Sequence, residues 1–180
     1  MVLYCALLRG INVGGKKNVA MADLVRLCTG LGLKNPRSLL NSGNLVFAAG
    51  SRAGDGLERL LETETKKQLG LDTHVMIRTA EEWKRVTAEN PLKAEAKNDP
   101  GHLLVLFLKT PVTAARVSAL QEAIVGREFV RGKGRHLYVS YPDGVGRSKL
   151  TLTLIESRLG TRGTARNWNT VMKLGTLLGL

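Results

Sequence analysis

A chain of 180 residues allows one domain or two small ones, and 43% hydrophobic content supplies a packed core built from Leu, Val and Ala, because aromatics make up only 4%. No apolar run reaches the roughly 18 residues that read as a membrane-spanning helix, and two cysteines, Cys5 and Cys28, are too few for a disulfide framework and fit a reducing, cytoplasmic setting. The formal charge of +12 sets up a field that attracts nucleic acid or other polyanions.

Residues 2–8 alternate and carry β-formers, so they read as a first strand rather than as a signal peptide. Residues 21–33 place Leu24, Leu27, Cys28 and Leu31 on one helical stripe that ends at Gly30 or Gly32. Residues 37–41 and 45–49 form two short strands joined at Ser42-Gly43. Residues 54–69 have Leu57, Leu60, Leu61 and Leu69 at helical spacing before Gly70, and residues 73–78 form a strand. Thr79 then caps a helix, with Glu82 completing a capping box, and that helix ends before Asn90-Pro91.

Residues 93–101 are polar and are predicted to be a linker. Beyond them come a buried-looking strand over residues 102–109 and a helix from Pro111 and Thr113 to about Ile124. Strands over residues 128–131 and 136–141 flank the turn Gly132-Lys133-Gly134, and helices follow over residues 148–159 and 167–178. The second half therefore repeats much of the first. The order strand, helix, strand, strand, helix, strand is the split βαβ unit. The expected fold class is α+β: two ferredoxin-like α/β plaits with antiparallel sheets, residues 1–79 and 80–180, plus a C-terminal helix.

Three acid-free polar clusters stand out: residues 9–18 (RGINVGGKKN), residues 41–44 (NSGN) and residues 164–170 (TARNWNT). Side-chain amides, glycines and cations donate hydrogen bonds and positive charge, so they suit an anionic, oxygen-rich partner better than proton transfer. The stretch from Gly10 to Lys16 satisfies G-x-x-x-x-G-K after a strand, but Lys17 stands where a P-loop needs a magnesium-binding hydroxyl. What remains is either an anion-binding nest of backbone N–H groups or a structural turn that needs positive φ. Asn41-Ser42-Gly43-Asn44 reads first as a turn, and becomes a polar rim if it shares a sheet end with the first loop. In the third cluster Thr164 can cap a helix whose first turn would hold Arg166, Asn167 and Asn169, suited to phosphate. Trp168 offers either a stacking face or a packing contact. The basic loops at residues 132–135 and 144–149 can grip phosphate or simply be solvated turns.

Other chemistries find little support. His74, His102 and His136 are far apart, with no Cys/His cluster, so no metal site is expected. There is no G-x-S-x-G elbow and no evident catalytic carboxylate pair, and no cofactor is expected. The plait topology lacks the strand aromatics of RNA-recognition modules.

Residues 7–16 (LLRGINVGGK), Met21, Leu24, residues 41–47 (NSGNLVF), Asn90-Pro91 and residues 164–171 (TARNWNTV) resemble the domain of unknown function 1697 family, nearly end to end. This chain carries Asn41 and Gly163 where that family's pattern more often has Gln and Ala. The resemblance implies two ferredoxin-like plaits in a soluble, bacterial-type protein and brings no assigned activity.

Three readings stay open. In the first, the protein binds a phosphate-rich partner, nucleic acid or a nucleotide-like ligand, through Arg9, Asn12, Lys16, Lys17, Asn18, Ser42, Asn44, Arg166, Asn167 and Asn169. In the second, it is an enzyme acting on a small anionic metabolite in a cleft between the halves. In the third, the clusters only lock loops and seams.

Overall fold

The computed structural model describes residues 1–15, 17–50 and 54–180. Chain contacts divide it into two units: Met1–Arg85 together with Leu174–Leu180, and Val86–Lys173.

The first unit runs β1 (Val2–Leu8), α1 (Met21–Gly30), β2 (Lys34–Leu39), β3 (Asn44–Ala49), α2 (Gly54–Leu69) and β4 (Val75–Thr79). Its sheet has the order β2-β3-β1-β4, antiparallel throughout, with Cys5 opposite both Val46 and Arg78. Alternation along the strands sends Tyr4, Ala6, Leu8, Leu45, Phe47, Val75 and Ile77 to the face where Leu24, Leu27, Leu57 and Leu61 pack. Each such aliphatic or aromatic side chain contributes roughly 1.5–3 kcal/mol by leaving water. Cys5, Leu7, Val46, Met76 and Arg78, on the alternate positions, are buried as well. β2 is an edge strand, interrupted by a register shift between Lys34 and Arg37 that takes up Pro36. Pro36 is tolerated there because an outer strand can spare a ladder donor.

The second unit repeats the plan: β5 (Leu103–Leu108), α5 (Ala114–Glu122), β6 (Phe129–Lys133), β7 (His136–Ser140), α6 (Leu152–Leu159) and β8 (Gly163–Asn167), with sheet order β6-β7-β5-β8. Between the two sets lie α3 (Ala80–Ala88) and α4 (Lys93–Asn98), and α7 (Trp168–Leu177) closes the chain. Two antiparallel four-stranded sheets with their helices confirm the α+β, twin-plait expectation.

Two sequence expectations need correction. Residues 93–101 are not a bare linker, because they hold α4, a helix without a buried residue. Its Lys, Ala and Glu are strong helix formers, but six residues are too few to show an apolar stripe. Residues 164–167 do not open the last helix. They belong to β8, which pairs with β5 from Leu108↔Gly163 to Leu104↔Asn167. The helix starts at Trp168, and Asn167 caps it by accepting from Thr170 N–H at 2.9 Å through Oδ1. The capping box at Thr79 forms as expected: Glu82 N–H donates to Thr79 Oγ1 (3.1 Å) and Thr79 N–H to Glu82 Oε2 (2.8 Å).

An outer strand leaves a row of unpaired N–H groups, and β4 is shielded by carboxylates from α2. Ile77 N–H donates to Glu58 Oε1 and Val75 N–H to Glu62 Oε1, each at 2.8 Å. The spacing explains the pairing. Four residues along a helix advance about 6 Å, and two along a strand advance about 6.6 Å. On β8 one carboxylate does this work, Glu156 accepting from Gly163 N–H at 2.9 Å. One helical turn earlier, where α2 has Glu58, α6 has Leu152.

Candidate functional site at the loop end of the first unit

β1 leaves its sheet between two neighbouring segments. Leu8 N–H donates to Gly43 O (2.8 Å) and Arg9 N–H to His74 O (2.9 Å). The glycine-rich loop therefore begins between the β2–β3 turn and the segment entering β4. Thr73 Oγ1 donates to Arg9 O at 2.6 Å, and Lys17 Nζ donates to Asp72 O at 2.6 Å, so the loop is fastened to that segment at both places. Lys66 beside Asp72 holds that carboxyl below the usual range, with Lys17 and His74 adding to the effect.

Asn12 organises the loop. Its φ is 54°, a left-handed conformation asparagine tolerates better than most residues. Its Oδ1 accepts from Val19 N–H (2.8 Å), and its Nδ2 donates to Val19 O (3.0 Å) and to Asn41 O (2.7 Å). One side-chain amide thus closes the loop on itself and ties it to the β2–β3 turn. Gly43 in that turn has φ 77°, and a Cβ there would lie 2.7 Å from Ile11 Cδ1 and 2.9 Å from Leu8 Cβ, so only glycine lets the turn sit against the loop. Ile11 itself is buried in the core.

The first two polar clusters consequently share one sheet end. There, Asn12, Asn18, Val19, Ala20, Met21 and Asn41 line an open depression, and none of these residues is an acid. It sits at the start of α1, whose N-cap is Ala20 and which no side chain caps. Helix starts present N–H groups and the positive end of the macrodipole. Asp23, in the first turn, is engaged by Arg26.

The remaining sequence-predicted residues have varied placements. Arg9 is half-buried, while Lys17 and Asn18 are exposed, with Asn18 Nδ2 donating to Gly15 O at 3.4 Å. Lys16 lies outside the described residues. Asn44 is fully buried, and its Nδ2 donates to Leu39 O (2.7 Å) and to the half-buried Ser42 (Oγ, 3.0 Å), which closes the turn. The third cluster belongs to the second unit. Arg166 is 7% exposed, its Nη1 donating to Thr164 Oγ1 (2.8 Å) and Ala165 O (2.7 Å). Trp168 is 9% exposed, and Asn169 is exposed. Among the described residues, no group of His, Cys, Asp and Glu could hold a metal ion, and no helix is long and apolar enough to cross a membrane.

Sequence reasoning passed over Val19, Ala20 and Met21 as parts of this depression, and had Asn41 only within the conditional polar rim. The signal available was the absence of Ser, Thr, Asp or Asn at position 20, just before an apolar helical stripe.

Comparison with known proteins agrees with the fold. A family described as "Protein of unknown function (DUF1697)" matches residues 1–138. A solved structure of a conserved bacterial protein from Streptococcus pneumoniae is 27% identical, with a TM-score of 0.76 over 98% of each chain. No curated protein matches.

Proposed function

The chain belongs to the DUF1697 family of proteins of unknown function, and from that premise we propose that it binds a phosphate-bearing ligand at the loop end of its first unit, a nucleotide-like molecule or the backbone of a nucleic acid. The observation that carries this reading is the acid-free depression lined by the amides of Asn12, Asn18 and Asn41 at the uncapped start of α1. Helix N-termini accept phosphate through backbone N–H groups and the dipole together. Lys17 stands on the same loop, and the +12 charge of the chain raises the local concentration of anions.

The absence of an acid among the lining residues favours binding over proton-transfer chemistry. Arg166, Thr164 and Asn167 serve strand β8 and the cap of α7, so the proposed site does not include them.

The test titrates fluorescent single- and double-stranded DNA and RNA, and a labelled nucleoside triphosphate, into the protein at several salt concentrations. Wild type runs beside Asn18→Asp and Lys17→Glu, with folding followed by circular dichroism. Saturable binding that falls with salt and is lost in the folded variants supports the site. Equal binding by all three proteins would assign the attraction to overall charge and remove the site.

A further inference from the structure

The second unit contains an apolar recess that the reading above does not use. Leu120 of α5, with Ala123 and Ile124 just beyond its end, lines it together with Leu150, just before α6, and Leu154 of α6. The cavity measures about 120 Å³, smaller than the roughly 300–1,000 Å³ of drug-sized sites, so it suits a narrow occupant that leaves its head at the mouth. It opens where the two units differ. Relative to the glutamate that shields its edge strand, α6 begins about one turn later than α2. That missing turn leaves the end of α5 uncovered, and Val125 beside it is 87% exposed.

The charges at the rim are not balanced. Lys149, just before α6, and Arg158, one turn after Leu154 on the same face, both line the recess. Among the described residues neither side chain has an ion-pair or hydrogen-bond partner. The one acid in the lining, Glu128, is occupied: Ser148 Oγ donates to its Oε1. Its carboxylate also folds against Gly126, where a Cβ would fall 2.1 Å from Oε2. Burial pushes the nearby Tyr141 hydroxyl up to about 12, with the Glu128 charge adding to it, and this phenol donates to Leu150 O at 3.0 Å. The polar groups at this wall are therefore satisfied internally, while two cations are left to a visitor.

We propose that this recess binds a small amphiphilic carboxylate, its aliphatic tail between α5 and α6 and its head against Lys149 and Arg158. An apolar wall with unpaired cations at its mouth matches a molecule with one negative end and a short hydrocarbon body. A neutral alcohol of the same length would gain only the tail's burial, and an amine would meet like charge.

The test uses the full chain and octanoate as the probe. Binding is followed by two-dimensional NMR and by melting temperature, with octanol, octylammonium and acetate as comparisons. Saturable shifts confined to Ala123, Ile124, Leu150 and Leu154, strongest for octanoate, are expected. Lys149→Gln/Arg158→Gln keeps the fold, because both side chains are exposed, and should weaken octanoate by about tenfold, the size that two lost surface charge pairs allow. Ala123→Trp fills the recess and should abolish the shifts. If Ala123→Trp fails to fold, the glutamine variant and the charge series still decide. Octylammonium binding as well as octanoate, an unchanged affinity in the glutamine variant, or no saturable shift would each overturn the proposal. The recess lies wholly in the second unit, so its failure leaves the loop-end site of the first unit standing, and the reverse holds too.

Discussion

The two plaits share strand order, the antiparallel pairing of β1 and β5 with both neighbours and even the buried arginine opposite that strand, yet they differ in how the chain leaves it. In the first unit β1 reaches α1 through residues 9–20; in the second β5 reaches α5 through residues 109–113 alone. Equivalent backbone bonds bracket both departures: Leu8 to Gly43 and Arg9 to His74, Leu108 to Arg135 and Lys109 to Arg162. The sheet end is thus the same scaffold twice. The second unit closes it with a short link and caps α5 with Thr113, whose side chain accepts from Arg116 N–H. The first unit inserts a glycine-rich loop, holds it with Asn12, and leaves α1 with no side-chain cap. A cap given up in one copy and kept in the other is the difference on which the proposed loop-end site of the first unit rests.

The largest expected effect tests the shared part of the plan. Glu58→Ala strips a buried carboxylate from Ile77 N–H and from Arg78, which lies 4.0 Å away and is itself buried. A loss of about 3 kcal/mol is expected in urea denaturation, the usual penalty for leaving a buried charge and donor without their partner. Glu156→Ala should cost the second unit about 2 kcal/mol, since its Arg162 partner is largely exposed. Equal and negligible losses would show that edge shielding is incidental in both.

Gly43→Ala comes next, at about 2 kcal/mol, because it combines a positive φ with a clash against Ile11 and Leu8. Asn12→Ala should cost about 1–2 kcal/mol, and hydrogen exchange at Val19 should speed up, since Val19 N–H loses its acceptor. The second unit has no counterpart to that loop, and exchange there should stay unchanged. Smallest are the caps at the ends of the two outer strands. Thr79→Ala and Asn167→Ala should each lower stability by about 1 kcal/mol. If Asn167→Ala also abolished anion binding without unfolding, the restriction of the site to the first unit would break.

Much of this comparison could be read from sequence, but not the parts made by pairing. The strands around Leu7, Phe47, Ile77, Phe107 and Val139 announce themselves by short apolar runs rich in β-formers, and the capping box by Thr79 and Glu82. β8 is silent because Gly163, Thr164, Arg166 and Asn167 carry no apolar face. It is a strand because β5 offers it a ladder and Glu156 shields its start. α4 is silent for lack of length. At the site, the clustering of amides and glycines is visible in the one-letter string, but their employment is not. Asn44 and Asn12 look alike there, and only the fold shows that one closes a turn out of reach of solvent while the other holds the rim of a depression. Arg166 looks like a cation awaiting phosphate, and burial gives it other partners.

The return of residues Leu174–Leu180 to the first unit has a consequence for the order in which the protein comes into being. Leu174 and Leu178 are buried, and Arg37 Nη2 donates to Leu177 O at 3.0 Å, so this segment is part of that unit's structure. The second unit is one unbroken stretch and has all its residues before translation finishes. The first unit starts ahead of it in the chain and still needs residues that follow it. During synthesis the second unit therefore has its full set of residues before the first unit does, although the first begins sooner.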